Sequence, residues 1–328
     1  MIIAVDAVGG DHYPQHPVEG ALKALEENND LQLLLLGPGQ MIREELSRHP
    51  DAGDRLTVQD APQVIGMDEA PAQAVKSKQK SSIALGLGLH AKGRCQAFVS
   101  AGNTGALLAA STLILGKLEG VHRPTITANY PTVKGFRPLL DVGANLEMRP
   151  EMYRQFAIMG CIYAETMLGV EEPTVGLLNV GEEEEKGTEG LKKAYRELRS
   201  LPQFIGNVEG RDIFPAKADV FLCDGLIGNI LLKFGESIPG ALQQFVGKAV
   251  KKAGLDREQA AQVTGVLKGA LAEFQHETIG GIPFLGVDGV SMVGHGGSSP
   301  TAIKNMILEA VKCVENNVND RIVASLNE

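Results

Sequence analysis

Short apolar runs alternate with amphipathic stretches along most of this chain. "MIIAVDA", "LQLLLLG", "RLTVQDA", "QAFVSAG", "RPLLDVG", "TVGLLNVG", "QFIGNVEG" and "ADVFLCDG" each predict a strand of about five to seven residues. Several are apolar almost throughout, as strands covered on both faces of a parallel sheet require. Helical stripes separate and follow them. Val18, Ala21, Leu22 and Leu25 share one helix face. Ile303, Met306, Ile307, Ala310, Val311 and Val314 share another, behind Ser299 as N-cap and Pro300 at the first helical position. The alternation predicts an α/β fold, a three-layer α/β/α sandwich around a mainly parallel sheet. There is no internal repeat and no linker-like composition, so residues 1–328 read as one compact unit with room for two lobes.

Residues 238–276 break the alternation and predict two helices with nothing strand-like between them. The first would bury Ile238, Ala241, Leu242, Phe245, Val246, Ala249 and Val250. The second would bury Val263, Val266, Leu267, Ala270, Leu271 and Phe274, and Asp256 with Gln259 has capping-box spacing at its start. The pair reads as a helical hairpin projecting from the sandwich.

Composition narrows the function classes. The chain is 44% hydrophobic and 22% charged, a globular balance, and its net charge of −9 argues against nucleic acid as the main partner. Cys95, Cys161, Cys223 and Cys313 lie far apart in apolar surroundings, so they read as core residues of a reducing cytosol rather than disulfides or zinc ligands. The first residues have no basic start and meet Asp6 at once, unlike a signal peptide. The uncharged stretch 95–116 carries Gln96, Ser100, Gly102, Asn103 and Thr104 early on, which fits a strand followed by a helix better than a membrane span.

Candidate chemistry collects behind the strands, where ligands of parallel α/β sheets bind. The first strand is followed by Asp6, Gly9, Gly10, Asp11 and His12, and the fourth by Ser100, Gly102, Asn103 and Thr104. Asp141 and Asn145 follow "RPLL", Gly181 to Lys186 follow "TVGLLNV", and Asp224 to Asn229 follow "ADVFLC". Any one of these is ordinary turn chemistry; together they predict one shared cleft. "SAGNTGAL" is the best small-anion site, because its glycines admit a ligand and the helix it opens aims N–H groups at the cleft. An ordinary N-cap by Asn103 or Thr104 is the bland alternative. His12 and His295 sit in glycine-rich turns without a visible triad partner.

Neither G-x-G-x-x-G after the first strand nor G-x-x-x-x-G-K-[ST] anywhere is present, so nucleotide loops are absent. In "GLLNVGEEEEKGTEG" consecutive carboxylates from Glu182 onward would repel a triphosphate and cannot all face one metal ion. They fit an acidic first turn satisfying the dipole of the helix in "TEGLKKAYREL". Lys186 at this junction reads either as an anion contact on the cleft rim or as a solvated lysine.

The motifs "AVDAVGGDH", "SAGNTGAL", "DVGAN", "GLLNVGEEEEKG", "FIGNVEGRDI", "ADVFLCDGLIGN" and "HGGSS" occur in the order found in the bacterial phosphate acyltransferase family, which this chain resembles from residue 2 to about 310. Val8 stands where that family usually has methionine, Leu226-Ile227 where Phe-Val is common, and "TIGGIPFLGVDGV" matches only loosely. The resemblance implies an isocitrate/isopropylmalate dehydrogenase-like and phosphotransacetylase-like fold, a homodimer, and no metal or organic cofactor. It also implies an acyl group moving from acyl-acyl-carrier protein to inorganic phosphate for phospholipid synthesis. A cytoplasmic protein is implied, with peripheral contact between its hairpin and anionic membrane. The hairpin tip offers Val250, Ala253 and Leu255 beside Lys248, Lys251 and Lys252.

On that reading phosphate is the nucleophile. The turn Ser100, Gly102, Asn103 and Thr104 would hold it, Lys186 would neutralise charge, Asn229 would donate to the oxyanion, and His295 or His12 would be accessory. Asp6, Asp11 and Asp141 would brace turns, since an anion beside phosphate opposes binding. The nearest rival is a phosphotransacetylase using acyl-coenzyme A. A decarboxylating dehydrogenase and a non-catalytic phosphate sensor are more distant ones.

Overall fold

A computed structural model describes residues 1–50, 52–271 and 280–327. Its strands are β1 (Ile2–Asp6), β2 (Gln32–Gly37), β3 (Leu56–Asp60), β4 (Ala97–Ser100), β5 (Thr125–Thr132), β6 (Gly135–Leu140), β7 (Val175–Leu178), β8 (Phe204–Val208), β9 (Val220–Leu222), β10 (Ile282–Leu285) and β11 (Val290–Val293). They join into one sheet in the order β3-β2-β1-β4-β11-β10-β5-β6-β9-β7-β8. The expected runs all became strands. β5, β10 and β11 are the ones the pattern did not predict, and they lie together at the sheet's centre. Asn129 and Pro131 interrupt the first, and the other two are only four residues long.

Those central strands decide the geometry. β10 runs antiparallel to both β11 and β5, and β5 runs antiparallel to β6. The remaining pairings are parallel. After three reversals, β6, β9, β7 and β8 point opposite to β3, β2, β1, β4 and β11. The sheet is therefore mainly parallel, as expected, but in two opposed blocks. The carboxyl ends of β1 and β4 lie at one edge, and those of β6, β7 and β9 at the other. The expectation that all the polar turns share one end of the sheet is corrected by this reversal.

Helices cover both faces. One layer holds α1 (Gln15–Glu27), α2 (Gly39–Leu46), α6 (Pro150–Leu168), α7 (Glu189–Leu198), α10 (Pro300–Glu315) and α11 (Val318–Leu326) over a core that includes Val18, Ile42, Phe156, Tyr163, Leu198, Met306 and Ile322. The opposite layer holds α3 (Pro71–Ser77), α4 (Ser82–Ala91), α5 (Thr104–Ile114) and the start of α8 (Gly225–Lys252), over a core that includes Ile83, Phe98, Leu107, Tyr130, Leu139 and Phe221. This is the three-layer α/β/α arrangement.

The projecting pair consists of α8 and α9 (Arg257–Ala270), which pack on each other. α8 begins at Gly225, well before the expected residue 238. The helix runs through Pro239, which has no N–H to give to the ladder. Asp224 caps it by accepting from the Ile227 N–H at 2.9 Å. The helix can lie close to the sheet because side chains are missing where it touches: a Cβ at Gly228 would collide with the Asp141 carbonyl oxygen, and one at Gly235 would sit 2.6 Å from the Tyr130 hydroxyl.

The faces expected to be buried in the hairpin are largely open in this chain. Leu242 and Val263 are exposed, Phe245 is 65% and Val266 75% exposed, and Ala241, Ala249 and Ala270 are exposed as well. Ile238, Val246, Val250 and Leu267 are half-buried, and Leu271 alone of these residues is buried. Phe274 and the expected hairpin end at 276 lie outside the described residues. At the tip Ala253 and Leu255 are exposed with Lys248, Lys251 and Lys252, whereas Val250 is half-buried rather than open.

Candidate active site

A cavity of about 790 Å³ lies on the α5/α8 face of the sheet, over the central strands. β5 gives it Ile126, Ala128 and Tyr130, and Ile282 of β10 and Val293 of β11 extend that floor. One wall is the start of α5, with Thr104, Gly105 and Leu108. The other is α8, with Asn229, Leu232, Lys233 and Glu236. Loops close the ends: Asp11, Met67, Gly294, His295 and Gly296 on one side, Val142, Gly143 and Ala144 on the other. The helices start from opposite sheet edges, one behind β4 and one behind β9. Turns that do not share a strand end thus meet across a sheet face.

The turn after β4 is wired from within. The Asp6 carboxylate is buried and accepts from the Ser100 hydroxyl at 2.6 Å and the Val8 N–H at 3.2 Å. Burial pushes its pKa up, and these hydrogen bonds oppose the rise. The Ser100 oxygen accepts in turn from the Gly102 N–H at 3.0 Å. Asn103 is the N-cap of α5: its Oδ1 accepts from the Ala106 N–H at 3.0 Å. Its Nδ2 donates to the carbonyls of Gly66, Met67 and Glu69 at 3.2, 3.0 and 3.1 Å. Ser100, Gly102 and Asn103, expected to hold phosphate, have these protein partners and do not line the cavity. Of that group Thr104 lines the cavity, and it is exposed.

The other turns divide similarly. Gly9 and Gly10 are buried beneath the rim, where a Cβ on Gly9 would crowd Asp6 and Ser100. Asp11 borders the cavity, and its N–H donates to the Gly296 carbonyl at 2.8 Å. His12 is exposed, outside the cavity lining, with its ring 4.5 Å from that of His16. His16 Nδ1 donates to the Ser298 carbonyl at 2.9 Å, holding the loop that carries His295. His295 itself lines the cavity, its Nδ1 accepting from the Gly297 N–H at 3.2 Å.

Asp141 is fully buried and accepts from the N–H groups of Ile126, Ala144 and Asn145 and from Asn145 Nδ2. Asn145 Nδ2 also donates to the Pro124 carbonyl at 2.9 Å. The carboxylate, whose pKa burial raises, shapes the turn that brings Gly143 against Asn229. Asp224 caps α8 and does not line the cavity.

The acidic loop behaves differently from its expectation. α7 starts at Glu189 with Thr188 as N-cap, so Glu182 to Glu185 precede the helix and do not form its first turn. They pair outward instead: Glu182 with Lys217 at 2.7 Å, Glu183 with Lys186 at 3.9 Å and Glu184 with Arg199 at 3.6 Å. Asn179 Nδ2 donates to the Lys186 carbonyl at 3.1 Å and Asn207 Nδ2 to that of Glu183 at 2.8 Å, pinning the backbone. Lys186 has a half-exposed side chain and does not line the cavity. Expected on the cleft rim or in solvent, it is carried by a loop that turns to solvent. The cavity lysine is Lys233, missed because the helix start at Gly225 was missed. With α8 running from Asp224, the residues 229, 232, 233 and 236 would have read as one helical stripe.

No thiol serves the cavity. Cys95, Cys161, Cys223 and Cys313 are free and outside its lining, and burial pushes Cys95 up to about 11 and Cys161 and Cys313 up to about 12. Among the described residues, Glu19, Glu45 and His49 have ligand atoms close enough to share a metal ion, but Glu45 already pairs with Arg48 and His49, away from the cavity. No described helix is long and apolar enough to cross a membrane.

Residues 1–321 match the family model described as "Fatty acid synthesis protein". Among curated relatives, the "Phosphate acyltransferase" of Chlorobaculum parvum is 47% identical over 338 residues, covering 100% of this chain and 99% of that one. The "Phosphate acyltransferase" of Chlorobaculum tepidum is 46% identical over 330 residues, covering 97% and 100%. Among solved structures, a phosphotransacetylase from Streptococcus pyogenes superposes with a TM-score of 0.62 at 15% identity, covering 96% of this chain and 94% of that one. At that identity the likeness concerns the fold.

Proposed function

The chain belongs to the phosphate acyltransferase family, and from that premise we propose that it moves a fatty acyl group from acyl-acyl-carrier protein to inorganic phosphate. The product, an acyl phosphate, would feed phosphatidic acid and phospholipid synthesis. One observation beyond kinship carries the reading: a cavity with apolar lining from Ile126, Val142, Leu232, Ile282 and Val293 also receives the open start of α5 and Asn229. That combination suits an acyl thioester held beside a small oxyanion.

The chemistry asks little covalent work of the protein. A phosphate oxygen forms the bond to the acyl carbon, the tetrahedral intermediate collapses, the carbon–sulfur bond breaks, and the pantetheine thiolate leaves to take up a proton. Holding nucleophile and carbonyl together supplies most of the advantage, and donors aimed at the developing oxyanion supply much of the rest. The free N–H groups opening α5 at Thr104 and Gly105 offer partial positive charge to phosphate. Asn229, on the opposite wall of the cavity, would donate to the oxyanion, and His295 on the loop at its end would be accessory. Buried, neutral thiols outside the cavity support direct attack by phosphate over an acyl-cysteine intermediate.

A homodimer fits the exposed apolar residues on the outer side of α8, where Ile227 is 44%, Ile230 56% and Phe234 64% exposed. The hairpin tip, with exposed Leu255 among Lys248, Lys251 and Lys252, fits peripheral contact with an anionic bilayer. Acyl phosphate should accumulate when the purified protein meets acyl-acyl-carrier protein and phosphate, measured by hydroxamate trapping. No product from the carrier thioester, with product from acyl-coenzyme A, would transfer the reading to a phosphotransacetylase. Leu255→Glu should lower sedimentation with phosphatidylglycerol vesicles while leaving turnover of soluble donor within about two-fold (a factor near 0.4 kcal/mol).

A further inference from the structure

Asn229, Leu232, Lys233 and Glu236 recur at i, i+3, i+4 and i+7 along α8, and all of them line the cavity. Gly228 and Gly235 lay the neighbouring side of the helix against the sheet, and the stripe beside it borders the cavity, with Asn229, Leu232 and Glu236 half-buried and Lys233 exposed. Lys233 thus stands one helical turn beyond Asn229 on the wall opposite the start of α5. Among the described cavity residues it is the side chain with a permanent positive charge; the carboxylates of Asp11 and Glu236 would repel an anion. It is exposed, and among the described residues it has no ion-pair partner.

A dianion entering this cavity meets partial charges at the start of α5. A helix N-terminus alone is a weak anchor for a dianion, whereas an ammonium at hydrogen-bond distance forms charge-assisted bonds about twice as strong as neutral ones. We propose that Lys233 is the phosphate-binding cation of the site, gripping the nucleophile between α8 and α5 and keeping contact as its charge passes into the tetrahedral intermediate. The inference rests on the acyl-transfer reading for its chemistry. The ligand is a phosphate group, and its two sources in such a reaction are free phosphate, as the dianion, and the singly charged phosphodiester of the donor's pantetheine arm. The position of Lys233 on the cavity wall, one helical turn from Asn229, favours free phosphate.

Steady-state kinetics of Lys233→Ala and Lys233→Arg separate the sources. Lys233→Ala should raise the KM for phosphate at least ten-fold, leave that for the acyl donor within two-fold, and unfold at the parent temperature. Lys233→Arg should recover part of the loss. Calorimetric titration of the full chain with inorganic phosphate alone should show the same weakening. Parent KM for phosphate in Lys233→Ala, or a rise confined to the donor, overturns the proposal. If the parent protein makes no acyl phosphate, the acyl-transfer reading fails by itself, and the phosphate titration still decides whether Lys233 binds the anion.

Discussion

The turn after β4 and the loop after β7 look alike in sequence: each follows a fully buried strand, each mixes glycine with hydrogen-bonding residues, and each precedes a helix. In the folded chain they are opposites. Residues 100–103 spend their polar groups on one another, on Asp6 and on the backbone of 66–69, and leave only the next residues, Thr104 and Gly105, at the cavity. Residues 182–186 spend theirs on surface ion pairs with Lys217, Arg199 and each other. A polar turn of the first kind braces a cavity rim from behind. One of the second kind fixes a surface.

The contrast predicts unequal costs. The largest belongs to Asn103→Ala, which removes an N-cap and strips three carbonyls of their donor at once; urea unfolding should show a loss on the order of 3 kcal/mol, with activity falling as the rim at 66–69 loosens. A loss below about 1 kcal/mol would mean that the turn is not internally wired.

A second test uses pH on the same side of the molecule. His90 is held neutral: Nδ1 donates to the Cys95 carbonyl at 3.0 Å and Nε2 accepts from the Val290 N–H at 2.9 Å, joining α4 to β11. Burial is the main cause that holds its pKa below 6.5. The unfolded chain therefore takes up this proton before the folded one does, so stability falls as pH drops below about 6.5. Thermal unfolding at pH 7.5 and 5.5 should show the drop, and His90→Gln should show a smaller one; equal drops would remove the assignment.

The smallest effect is expected at the outward loop. Lys186→Ala breaks a long exposed contact with Glu183 and should change stability by less than about 0.5 kcal/mol, with acyl phosphate formation within about two-fold of the parent. A well-folded variant that loses ten-fold or more would show that the loop reaches substrate after all, and would erase the distinction between the two turns.

The chain's own residues determined its layers. Alternating apolar runs and 3.6-residue stripes placed eight of the eleven strands among the described residues and the amphipathic faces of α1 and α10, because burial of one face is a local property that a sequence displays directly. The order of short motifs also displayed the family. What sequence could not display was direction. Short β10 and β11, and β5 with Pro131 inside it, reverse the sheet at its centre, and strand direction is set by pairings between segments far apart in the chain. That reversal decides which polar turns meet. It brings α5 and α8 face to face, with Lys233 rather than Lys186 lining the cavity between them. Residue types state what a group can bind; only the packed chain states whether its hydrogen bonds are already taken.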